Sequence, residues 1–87
     1  MRLDKYLKVS RIIKRRTLAK EICDQGKIKI NGRVAKASSE VQIGNQLELD
    51  FGSKILIVEI KGTPNSVSAA LAKETYEIIR EVKVEAL

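Results

Sequence analysis

With 87 residues, 44% of them hydrophobic and 32% charged, the chain has room for one globular domain, residues 1–87, and enough Ile, Val and Leu to form a core. No wholly apolar run is longer than that from Ile55 to Val58, far short of the roughly 20 residues that a membrane span needs. The formal charge of +6 is unevenly spread: residues 1–36 carry +9, with twelve bases against Asp4, Glu21 and Asp24, and the remainder carries −3.

The periodicity predicts a first helix over residues 2–12. Leu3, Tyr6, Leu7 and Ser10 share one arc of about 100°, and Arg2, Lys5, Lys8 and Arg11 lie opposite. Asp4 suits the positive end of that helix. Lys14-Arg15-Arg16 crowds three like charges where a turn is expected. A second helix follows, with Thr17 as its expected N-cap and Leu18, Ala19, Ile22 and Cys23 as its apolar stripe. Gly26 stands where a left-handed cap is wanted.

After Gly26 the period changes to two. Lys27-Ile28-Lys29-Ile30 alternates as a half-buried strand, Asn31-Gly32 is a strong hairpin signal, and Val34-Ala35 begins the return. Val41 to Ile43 leads to a turn at Gly44-Asn45, residues 47–51 alternate, Gly52-Ser53 turns, and Lys54 to Ile60 is a further strand. Thr63 to Ser66 reads as a loop and Val67 to Lys73 as a short helix. Residues 76–84 fit a helix or a strand whose one face would hold Tyr76, Ile78, Val82 and Val84. The fold class expected is α+β: a two-helix motif packed on a small, twisted antiparallel sheet, with a short C-terminal element.

The chemistry available is narrow. There is no His and a single Cys, so neither His-based acid–base catalysis nor a zinc site can be built. Cys23 lies on an apolar stripe and reads as a core residue, compatible with a reducing compartment. All five glycines fall at turns, leaving no phosphate-cradling loop. No enzyme, cofactor, metal or membrane partner is expected. Met1-Arg2-Leu3-Asp4 has no signal-peptide core, so a cytoplasmic location is expected. A polarised basic chain suits a polyanion, although charge alone does not separate RNA from DNA or an anionic membrane. Tyr6, Phe51 and Tyr76 are the only aromatics, and the first and second read as core. Contact should therefore run through phosphates, 2′-hydroxyls and RNA shape.

Arg2-Leu3-Asp4-Lys5 with Leu7, then Arg16-Thr17-x-Ala19, Ile22 and Gly26-x-Ile28-x-Ile30-Asn31-Gly32 resembles the RNA-binding domain named after small-subunit ribosomal protein S-four. The resemblance covers residues 2–50 and leaves 61–87 as a C-terminal extension. Leu7-Lys8-Val9-Ser10-Arg11 and Lys14-Arg15-Arg16-Thr17-Leu18-Ala19-Lys20-Glu21 are most similar to the RqcP family and its relative, the fifteen-kilodalton heat-shock protein. Two places depart from the pattern: Arg15 stands where Ser is common, and Gly44-Asn45 where Gly-Asp is usual.

That resemblance implies a ribosome-associated quality-control factor that binds large-subunit rRNA and peptidyl-tRNA on obstructed large ribosomal subunits. It would support alanine tailing there, with the tailing factor RqcH as a candidate partner and a monomer as the expected state. The alternatives are a general rRNA or tRNA binder in recycling or assembly, and a DNA-binding regulator. By position in the motif, Arg2 and Arg16 lead as RNA contacts, supported by Lys5, Lys8, Arg11, Lys14, Arg15 and Lys20. Asp4 is expected to start the helix or to orient a neighbouring Arg, and Arg16 to be exposed, so that Arg16→Ala spares the fold.

Overall fold

A computed structural model describes residues 1–84 of the chain; the last three residues of the expected extension lie outside the described part. Helix α1 spans Leu3–Val9 and α2 Arg16–Asp24. Strands β1 (Ile28–Ile30), β2 (Arg33–Val34), β3 (Gln46–Asp50) and β4 (Lys54–Ile60) follow, then a short helix α3 (Ala69–Ala72), a 3-10 turn (Lys73–Thr75) and β5 (Tyr76–Lys83). The five strands make one antiparallel sheet in the order β2-β1-β3-β4-β5. The architecture is the α+β class expected.

The hairpin forms as its turn residues dictate: Asn31 (φ 49°) and Gly32 (φ 85°) both take the positive φ that a type I′ turn requires. The core is what the alternation promised. Leu3, Tyr6 and Leu7 of α1 and Ala19 and Cys23 of α2 pack on Ile28, Leu47, Leu49, Val58 and Ile60 of the sheet. Each Leu, Ile or Val among them, fully withdrawn from water, contributes about 1.5–3 kcal/mol toward offsetting chain entropy. Tyr6 also donates its hydroxyl to the carbonyl oxygen of Thr75 at 2.7 Å, tying α1 to the last third of the chain. Burial pushes the Tyr6 phenol up to about 12.

Four expectations are corrected. Helix α1 ends at Val9, short of residue 12, because Arg11 takes φ 61° and its N–H bonds back to the Lys8 carbonyl in the manner of a left-handed cap. Helix α2 starts at Arg16; the cap position belongs to Arg15, in extended backbone and without a side-chain bond, so Thr17 already lies inside the helix. Leu18 is 45% exposed, because the stripe is wider than the face α2 buries and Leu18 sits at its rim. Residues 76–83 are a strand, and its faces are not the ones alternation gives. A register shift at Ile57/Val58 leaves Ile79 without a cross-strand partner. Tyr76 and Ile78 then lie opposite the buried Ile60 and Val58, whereas Val82 lies opposite Ile55 on the other face.

Candidate nucleic-acid interface

The site begins at the start of α1. The loop that follows β2 supplies the partners that the first helical N–H groups lack: Leu3 N–H donates to Ser39 O (2.8 Å) and Asp4 N–H to Ala37 O (3.1 Å). The Met1 ammonium meets Glu40 at 2.8 Å. These contacts fix Asp4 with its side chain 5% exposed. A carboxylate so buried needs compensation, and it has three donors. Lys5 N–H donates to Oδ1 at 2.8 Å, Arg2 Nε to Oδ1 at 3.2 Å, and Arg16 Nη2 to Oδ1 at 3.4 Å, with Arg16 Nε 3.4 Å from Oδ2. Burial pushes the Asp4 carboxyl up, but the Arg16 hydrogen bond, the Lys5 N–H and the charges of Arg16 and Arg2 outweigh it and hold the group below its ordinary 3.8.

Asp4 thus acts as a buried anchor for two guanidinium groups, one from the cap of α1 and one from the start of α2, and it is the orienting acid rather than a helix-start charge alone. Both arginine side chains stay about half exposed, at 49% for Arg2 and 48% for Arg16. Each therefore has part of its donor fork bonded inward and part open to water. Held this way, the forks lose less freedom on gripping a phosphate than free side chains would. Arg16 is exposed as expected, and its guanidinium also compensates a buried charge.

The other candidates fall into two groups around this anchor. Lys20, one turn along α2 from Arg16, shares with Arg2 an open cleft of about 560 Å³ between α2 and the β2 hairpin, to which Lys36 and Ser38 also contribute. Lys8, Arg11 and Lys14 line a common hollow beyond the end of α1, and Lys8 and Arg11 line an adjoining one with Asn65. Lys5 reaches the same loop, its Nζ 3.4 Å from Asn65 Oδ1. Arg15 is exposed at the start of α2 but lines neither the cleft nor the hollows. Lys36 and Asn65 were not singled out in the sequence. Lys36 lay outside the helical motif, and nothing local marks a loop residue that meets α1 from 60 positions away.

Cys23 is buried at the cleft, and burial, with the charges of Asp4 and Asp24, pushes its thiol up to about 11. A thiol held so far from its thiolate is a packing group. Among the described residues no cluster of acids and cysteines is arranged to hold a metal ion, and no helix is long and apolar enough to cross a membrane.

Known proteins resemble this chain over most of its length. The S4 domain family matches residues 1–47. The RQC P-site tRNA stabilizing factor of Streptococcus pneumoniae is 53% identical over 85 residues, covering 98% of this chain and 97% of its own. That of Bacillus subtilis is 51% identical over 84 residues, covering 97% and 98%. Heat shock protein 15 of Escherichia coli is 35% identical over 92 residues and is covered to 69% of its length. The trimeric structure of Vibrio cholerae Heat Shock Protein 15 superposes with a TM-score of 0.83 at 34% identity, over 90% of this chain and 80% of that one.

The fold and the match over residues 1–47 are those of an S4-domain protein. Within that class the chain belongs to the family of RQC P-site tRNA stabilizing factors, the RqcP family that its motif resembles.

Proposed function

We propose that the protein is a non-catalytic RNA-binding factor of ribosome-associated quality control. In this reading it binds large-subunit rRNA and peptidyl-tRNA on obstructed large ribosomal subunits in the cytoplasm, and so supports C-terminal alanine tailing of stalled nascent chains. The observation that carries the reading is near-full-length identity with proteins named RQC P-site tRNA stabilizing factor, in a chain whose own basic face is organised around a buried acid. Phosphate and 2′-hydroxyl groups are the ligands that two half-exposed guanidinium forks suit.

The whole chain acts as one domain and as a monomer, with residues 2–50 gripping RNA and 61–87 free to meet a partner such as the tailing factor RqcH. The heat-shock relative from V. cholerae is described as trimeric, so sedimentation velocity is the direct check: a 9.7 kDa species is expected, and one of three times that mass would overturn the monomer. A general role in subunit recycling or assembly would use the same surface. A DNA-reading helix is poorly served by α2, whose polar residues beyond Arg16 and Thr17 are Lys20, Glu21 and Asp24, with Gln25 at its cap.

The test is sucrose-gradient fractionation of cells carrying the tagged protein, probed for large-subunit rRNA and peptidyl-tRNA. Co-migration with large subunits that carry peptidyl-tRNA is expected. Migration with empty subunits would favour recycling or assembly. Absence from ribosomal fractions would overturn the reading.

A further inference from the structure

We propose that the groove formed by the end of α1, the β3–β4 turn and β5 receives an unpaired RNA base, giving the protein a contact with RNA irregularities in addition to phosphates. The inference rests on the RNA-binding reading above and extends it to the side of the molecule contributed by β5, beyond residues 1–47.

The groove has a volume of about 420 Å³, within the range of ligand clefts. Ile12, Phe51, Leu56, Tyr76 and Ile78 line it. Phe51 and Tyr76 pack against the core and are only partly buried, and Ile78 is 55% exposed. Three charged side chains also line it: Arg11, Lys54 and Glu81. Lys54 pairs with Glu81 at 3.1 Å, so the one acid is already neutralised. Among the described residues Arg11 makes no ion pair, and its positive charge faces the groove uncompensated.

Arg11 also decides what the occupant is. The same side chain lines the neighbouring hollow with Lys8 and Lys14, so the groove and the basic surface share a cation. A polyanion held by those lysines arrives beside an apolar slot with two aromatic rings. A nucleobase offers a π-face to such rings, and its phosphate suits the guanidinium. The backbone at Arg11 (φ 61°) is one that a side-chain-bearing residue rarely adopts, and strain of this kind concentrates where function holds it. A protein segment with an apolar anchor would fill the slot equally well, but the cationic surroundings favour the nucleic acid.

The experiment compares two RNA hairpins of equal length, one fully paired and one with a single bulged 2-aminopurine, binding to the full chain at the same salt. The bulged hairpin should bind roughly five- to a hundred-fold more tightly, with quenching of the 2-aminopurine emission on stacking. Ile78→Gln, at a half-exposed position, and Phe51→Leu should each bring the bulged hairpin toward the affinity of the paired one and leave paired binding unchanged. Equal affinity of the native chain for both hairpins would overturn the proposal, as would a preference that survives both substitutions. Capture of an acidic amphipathic peptide by the native chain but not by Ile78→Gln, without a bulge preference, would assign the groove to a protein instead. Failure to bind either hairpin would overturn the RNA-binding reading itself, and this proposal with it.

Discussion

Arg16 and Asp4 meet through both carboxylate oxygens, Nη2 to Oδ1 and Nε to Oδ2 at 3.4 Å each, joining the first turns of two helices that a basic loop separates. The acid is buried and the base is half exposed, so the pair is asymmetric. Removing the guanidinium leaves a buried carboxylate with Arg2 and one N–H. Arg16→Ala is expected to cost about 1–2 kcal/mol of stability, below the penalty for a fully buried pair because water still reaches the arginine. Thermal unfolding followed by circular dichroism checks this; an unchanged midpoint would mean that Arg2 suffices as partner.

Asp4→Asn separates orientation from charge. It raises the net charge by one and keeps the side-chain shape, so a purely electrostatic surface would bind RNA more tightly. The anchor predicts the reverse: with the guanidinium groups released, affinity for structured RNA should fall by roughly three- to tenfold. Titration of a fluorescent RNA hairpin at fixed salt measures it, and tighter binding would show that orientation contributes nothing.

The Asp4 carboxyl also sets a pH dependence. Its folded value lies below the ordinary 3.8, so the ionised form is favoured by folding. Its contribution is fully present above the unfolded value, and it is lost as pH falls from about 4 through the lower folded value. The thermal midpoint of the native chain should therefore drop more steeply below pH 4 than that of Asp4→Asn, and the two curves should converge in strong acid. Parallel curves would contradict the assignment.

Arg11 combines a strained backbone with a charge. Arg11→Gly relieves the left-handed conformation at a cost in unfolded-chain entropy, for a net gain of roughly 0–1 kcal/mol. The same substitution removes a cation shared by the hollow and the groove, so RNA affinity should fall while stability holds or rises. A loss of stability on denaturant titration would mean that Arg11 makes contacts its exposure does not suggest.

How much of this was legible follows the distance over which each feature is encoded. The Asn31-Gly32 turn and the Lys27–Ile30 alternation are local, and both form as read. The end of α1 was hidden because Ser10-Arg11 carries no glycine, yet Arg11 adopts a glycine-like φ. The faces of β5 were hidden because the bulge at Ile57/Val58 depends on pairing with β4, and alternation cannot report a residue skipped by its partner. Asp4 was half legible: an acid beside Arg2 suggested an orienting role. Its tie to Arg16 requires both helices to be docked first, and the contact of Lys5 with Asn65 requires the whole fold.

The most direct measurement is the affinity of the native chain and of Arg2→Ala for purified large ribosomal subunits, with and without peptidyl-tRNA, across a salt series. The account predicts preferential binding to subunits that carry peptidyl-tRNA. The log–log salt slope should correspond to about five to eight phosphate contacts, and its magnitude should fall by roughly 0.7–0.9 in Arg2→Ala. Equal binding to empty subunits, or a slope that Arg2→Ala leaves unchanged, would contradict it.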